Sequence, residues 1–213
     1  MLNEIKKAIL SGIMISIGGC VYLSSIHLGY SWFGAILFSA GLYTICQYGF
    51  NLYTGKVGYI AFHFSDFSYI KLVILTLIFN LLSTYLIGIL CGYAFPQIQE
   101  EAAKIFALKL QKPLLKLFIS GIFCGILMYL SVDTWKAGSK IGCFLFIPVF
   151  ILSGFDHSIA NSFYNGAANG FLNAFTLKNF WIFVVVILGN ATGGMIVPLL
   201  TRTFKKEQNE NKN

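Results

Sequence analysis

Charge is what this chain has least of. Only 11% of its 213 residues are charged, against roughly 25% in an ordinary soluble domain. Hydrophobic residues make up 57% and the mean hydropathy is +0.75. So few charges cannot screen that much apolar surface, which excludes a water-soluble globule and implies a polytopic membrane protein whose first partner is the lipid bilayer. The formal net charge of +7 belongs to lysines scattered among loops and tails. No basic domain carries them, and no nucleic acid is expected. Cys-x-x-Cys is missing as well. Cys20, Cys46, Cys91, Cys124 and Cys143 all lie inside apolar runs, where small hydrophobic packing outranks metal or redox work. No metal and no cofactor are expected. A small-x-small cleavage site does not follow the apolar run from Ala8, so the start reads as a first span rather than a signal peptide.

What is present is a series of apolar runs of spanning length, about 20 residues each. They cover Ala8 to about Tyr30, Trp32 to His63, Ile70 to Ala94, Leu114 to about Val132, Ile141 onward, and Phe180 to about Leu200. The second run is too long for one straight crossing and is broken by Gly49-Phe50-Asn51-Leu52-Tyr53-Thr54-Gly55. Irregular backbone at membrane depth is tolerated only where protein or water covers it. The fifth run enters Gly154-Phe155-Asp156-His157-Ser158-Ile159-Ala160-Asn161. That stretch gathers an acid, an imidazole, a hydroxyl and an amide, and intramembrane ionisable groups mark function by default. Between the third and fourth runs, Pro96 to Pro113 is the most hydrophilic internal loop, with an amphipathic helix predicted over Gln97 to Leu110. Asp133 to Lys140 reads as a tight turn and Phe163 to Lys178 as a Gly/Asn-rich loop. Thr201 to Asn213 is a polar tail.

Six spans place both ends on one side. Ten lysines and arginines fall on that side against five on the other, which predicts cytoplasmic termini in a cell inner or plasma membrane. The two halves also echo each other. Ser11-Gly12-Ile13 recurs as Ser120-Gly121-Ile122, Asn80 as Asn190, and Phe38 as Phe150, at offsets of 109, 110 and 112. Three spans per repeat require opposite insertion. The expectation is an all-α, 3+3 inverted repeat in a single transmembrane domain, with repeats over about 8–95 and 114–200 and with helices two and five interrupted. Thr54 and His157 would then approach each other at the centre.

Gly154 to Asn161 resembles the Gly-aromatic-Glu-His-Ser-Ile-Ala-Asn signature of the formate/nitrite transporter family. Leu52-Tyr53-Thr54-Gly55 is similar to that family's Leu-Phe-Thr-Gly. Leu188-Gly189-Asn190-Ala191-Thr192-Gly193-Gly194 is similar to its Gly-Asn-x-x-Gly-Gly run. The resemblance implies an aquaporin-like six-helix protomer, a homopentamer, and a pore in each protomer for small anions such as formate, nitrite or hydrosulfide. It makes His157 the midpore histidine, Thr54 the loop threonine, Asn190 a pore-facing amide, and Phe38, Leu42 and Phe150 the constrictions. Asp156 and Asn161 complete the signature. This sequence departs from the pattern in carrying Asp156 where the family has Glu, Gly125 where members often have Asn, and only about seven residues of the usual N-terminal amphipathic helix.

An anion entering an apolar neck loses hydration that the walls cannot replace. Either Thr54 and His157 donate hydrogen bonds, or the anion takes a proton and crosses neutral, with His157 as the natural partner. Asp156 would raise the histidine's pKa if the two side chains met. Lys56, Lys136 and Lys140 are vestibule candidates, or simply topology determinants. Packing readings stay open too: Thr54 bonding a helix carbonyl, Asn80 and Asn190 joining helices, and the three constriction residues facing core or lipid. Asp156-His157-Ser158 spells a hydrolase triad, but consecutive residues cannot adopt its geometry, so no enzyme is expected. The alternative is a neutral-solute channel of the aquaporin or urea type, against which the missing Asn-Pro-Ala pair counts.

Overall fold

The computed structural model describes residues 1–170 and 176–210, with side chains as far as Thr201. Every regular element among these residues is helical. In order they are α1 Leu2–His27, α2 Ser31–Tyr48, α3 Tyr53–Lys56 running into a 3-10 segment Val57–Phe62, α4 Phe67–Ala94, α5 Pro96–Gln111, α6 Leu114–Lys136, α7 Ile141–Leu152, α8 Ser158–Asn169 and α9 Leu177–Glu210. α1, α4, α6 and α9 are each long and apolar enough to cross a membrane. α2 and the α3 segment together form a fifth candidate, bent by 57° at its break. The chain is therefore a multi-pass membrane protein. α7 has 12 residues, about 18 Å of helix at 1.5 Å per residue, which is short of the roughly 30 Å hydrocarbon core.

Small residues set the packing. With no hydrophobic drive between helices in lipid, close backbone approach has to supply the contact. α4 meets α8 this way: a Cβ on Gly88 would fall 2.3 Å from the Phe163 carbonyl, and one on Gly166 would fall 2.2 Å from the Tyr85 carbonyl. α6 and α9 form the other main pairing, where a Cβ on Gly125 would meet the Asn190 carbonyl at 2.3 Å.

The predicted break in the second run is present, as is the amphipathic helix of the polar loop, α5. Two boundaries are corrected. Asp133 to Lys136 are the last residues of α6, so the turn is confined to Ala137–Lys140. Phe163 to Asn169 are helical, not loop. α8 is buried continuously from Ser158 to Ala167, enclosed chiefly by α4 and α5 with α1 and α9. With no water to compete for the backbone, the weak helix propensity of Asn and Gly is overridden. Part of that expected loop, residues 171–175, lies outside the described residues, as do the last three residues of the tail.

Candidate functional site

Two breaks of the same construction face each other. After α2, Gly49 takes φ +64°, its N–H bonds the Cys46 carbonyl, and the Phe50 N–H reaches back to Ile45 at 2.9 Å. After α7, Gly154 takes φ +67°, its N–H bonds Ile151, and the Phe155 N–H reaches back to Phe150 at 3.0 Å. Both are glycine C-caps of the left-handed kind. The sequence signal is Gly49-Phe50-Asn51 matched by Gly154-Phe155-Asp156, a correspondence that the offset of about 110 residues passes over.

A buried asparagine fastens each break. Asn80 Oδ1 accepts from the Tyr53 N–H at 2.8 Å, while its Nδ2 donates to the Ala8 and Asn51 carbonyls at 2.8 and 3.0 Å. Asn190 Oδ1 accepts from the Ser158 N–H at 2.9 Å, and its Nδ2 donates to the Gly121 and Asp156 carbonyls at 2.9 and 2.8 Å. Each amide thus satisfies two backbone groups that the break would otherwise leave unpaired, and its third bond ties the break to a carbonyl inside a neighbouring helix, Ala8 of α1 or Gly121 of α6. Asn190 is fully buried. The pore-facing role given to it by resemblance is corrected to fastening the break.

α3 and α8 then aim their first turns at one another. Thr54 Oγ1 lies 2.8 Å from His157 Nε2. The Ala160 N–H donates to His157 Nδ1 at 3.1 Å, so the ring caps α8. A ring nitrogen that accepts carries no proton, which places the proton of a neutral imidazole on Nε2. Nε2–H therefore donates to Thr54, and the Thr54 hydroxyl proton is free to donate elsewhere. Protonating Nδ1 would set it against the Ala160 N–H.

Apolar rings pack around this pair. Phe150 stacks on His157 at a centroid distance of 5.6 Å and meets Phe38 edge-on at 6.4 Å. Phe38, Leu42 and Phe150 are all buried, none more than 4% exposed. A cavity of about 210 Å³ lies on one side, lined by Phe150, His157, Asn161, Lys109 and Lys112 among others. A cavity of about 520 Å³ lies on the other, lined by Leu52, Gly55, Lys56, Lys136 and neighbours. Lys136 Nζ sits over the Tyr59 ring at 3.3 Å. Lys140 is outside that lining, over the Trp135 ring.

Asp156 does not pair with His157. Its carboxylate, fully buried, forms an ion pair with Lys109 of α5. Ser120 donates to Oδ2 at 2.7 Å and Asn161 to Oδ1 at 3.2 Å, and Lys112 Nζ lies 3.7 Å from Oδ2. The condition for Asp156 to act on the histidine, a meeting of the two side chains, is therefore not met, and the carboxylate instead clamps α5, α6 and the second break together. Lys109, Lys112 and the role of Ser120 were missed from sequence. Ser120 stood out only as a repeat identity, and nothing local marks a lysine on an amphipathic helix as turned inward.

A family model described as "Formate/nitrite transporter" matches residues 2–204. No curated protein matches the chain in sequence. Among solved structures, one titled "Pentameric formate channel with formate bound" is 22% identical, with a TM-score of 0.80, and the match covers 96% of this chain and 97% of that one. A second, titled "FNT family ion channel", is 19% identical with a TM-score of 0.79, covering 96% and 90%. Those likenesses establish a shared fold, and the family match spans nearly all of the sequence. With its paired helix breaks and its Thr54–His157 contact, this chain belongs to the formate/nitrite transporter family.

Proposed function

We propose that the chain carries small monovalent weak-acid anions (formate, nitrite or hydrosulfide) through a pore in each protomer of a homopentamer. The observation that carries this reading is the Thr54–His157 contact, with a lysine-bearing cavity on either side. The pentamer follows the assembly named for the formate channel neighbour. The matching breaks, caps and asparagine fasteners support a 3+3 inverted repeat of six crossings, in which α7 and α8 together complete the fifth. The lysine distribution supports cytoplasmic termini in an inner or plasma membrane.

A net positive charge at each mouth raises the local anion concentration: Lys109 and Lys112 outweigh Asp156 in one cavity, and Lys56 and Lys136 line the other. The neck between them offers no charge. The Thr54 hydroxyl, its oxygen already accepting from His157, offers its proton to the solute at the narrowest point. His157 acts as a neutral hydrogen-bond donor that orients Thr54. As a proton carrier it would first have to release the Ala160 N–H. The proton that neutralises a weak acid is therefore taken up in the cavities, and pH dependence follows the solute rather than the ring.

The test is proteoliposome flux of formate, nitrite, hydrosulfide, acetate, lactate and glycerol at two pH values, with native mass measurement of the assembly. Uptake of formate or another of the small anions by a five-chain species supports the proposal. Glycerol flux without anion flux would overturn it in favour of a neutral-solute channel.

A further inference from the structure

The two breaks are built alike but fastened with opposite polarity. At the second, the acid belongs to the break (Asp156) and the cation to an approaching helix (Lys109). At the first, the equivalent position is an amide, Asn51, and the approaching helix supplies an acid. Asn51 is buried, at 2% exposure. Its Nδ2 donates to Glu4 Oε2 at 2.7 Å and lies 3.2 Å from the Glu4 carbonyl. Its backbone N–H donates to the Lys7 carbonyl at 3.2 Å, and its carbonyl accepts from Asn80. Asn80 in turn holds the Tyr53 N–H, one residue before Thr54. The other Glu4 carboxylate oxygen is held by Lys7 Nζ at 3.3 Å.

We propose that Glu4 is a positioning residue for Thr54. Its carboxylate fastens Asn51, and through Asn51 and Asn80 it sets the first turn of α3 against His157. A bond to an ionised acceptor is about twice as strong as a neutral one, and here it anchors the start of α1 to a loop that has no regular structure of its own. The link from Asn51 to transport rests on the channel reading given above. The link from Glu4 to the loop does not.

Two measurements on the full-length protein test it: amide hydrogen exchange at Asn51 and Tyr53, and formate flux in proteoliposomes. Glu4→Ala is expected to speed exchange at both amides by about tenfold, the loss of one hydrogen bond to a charged group, and to lower flux several-fold. Glu4→Gln, whose side-chain oxygen accepts the same bond as a neutral group, should fall between the parent and Glu4→Ala in both. Asn51→Asp sets two carboxylates against each other and should loosen the loop. Adding Glu4→Lys reproduces the polarity of the Lys109–Asp156 clamp and should restore it, which keeps the proposal testable if Glu4→Ala does not fold. The Ser158 amide, at the other break, should not change. Parent-like exchange in Glu4→Ala, or no rescue of Asn51→Asp by Glu4→Lys, overturns the proposal. Failure of the unsubstituted protein to carry formate or any other small anion would instead overturn the channel reading, leaving the exchange result to decide the role of Glu4.

Discussion

Asp156 shows how little a residue's neighbours in sequence reveal about its work. It sits beside His157 in the chain, yet its carboxylate turns to Lys109, Ser120 and Asn161. Removing one partner of a buried pair leaves an uncompensated charge, at a cost of about 3–5 kcal/mol. Lys109→Ala is therefore expected to lower thermal stability in detergent strongly, and Asp156→Asn added to it should recover most of the loss. Equal melting of the single and double variants would deny the clamp. Thr54→Val keeps the volume and removes the hydroxyl. The solute reaches Thr54 as the neutral acid, and a neutral hydrogen bond is worth about 0.5–1.5 kcal/mol, so formate flux should fall by about 2- to 13-fold, while Thr54→Ser should retain it. His157→Gln is expected to lower flux but keep the shape of its pH profile between about pH 5 and 8, the range in which an ordinary histidine titrates. A flattened profile would return the proton-carrier reading.

At the scale of elements, the two breaks are the device on which everything else depends. A helix end inside a membrane leaves N–H and C=O groups that water cannot reach. Asn80 and Asn190 answer two such groups each, and each ties its break to a carbonyl inside α1 or α6. Asn190→Ala leaves the Ser158 N–H and the Asp156 carbonyl at the break without that amide, at about 1–3 kcal/mol for each buried group left unpaired. Faster exchange at Ser158 together with a lower melting temperature is the expected outcome, and parent-like exchange would show that other groups cap α8. Burial of Asn190 also explains why it reads as a pore residue from sequence: a polar side chain at membrane depth looks the same whether it faces a solute or a backbone.

At the scale of the whole molecule, the proposed transport depends on two lysine-bearing cavities kept apart by a short apolar neck. Phe38 and Leu42 come from α2 and Phe150 from α7, the helices that precede the two breaks, and no element alone forms the proposed barrier. Phe150→Ala removes the ring that contacts both Phe38 and His157. It is expected to raise lactate flux relative to formate in the same vesicles. An unchanged ratio would take Phe150 out of the selectivity barrier.

Much of this architecture was legible in the chain itself. Long apolar runs, the glycines that stop α2 and α7, and the amphipathic α5 are local properties, set by hydropathy over a helix length and by the backbone freedom of one residue. The meeting of Thr54 and His157 was legible as well, because the repeat expected from sequence would place two breaks opposite each other. What tertiary structure alone decided is where the polar groups spend their hydrogen bonds. The helical course of α8 beyond Phe163, the inward turn of Lys109, the capping duty of Asn190 and the Glu4–Asn51 bond all join residues distant in sequence. Their physical reason is shared: with little water inside the protein, each buried polar group must find a partner wherever the packing brings one within reach, and composition and spacing carry no record of that choice.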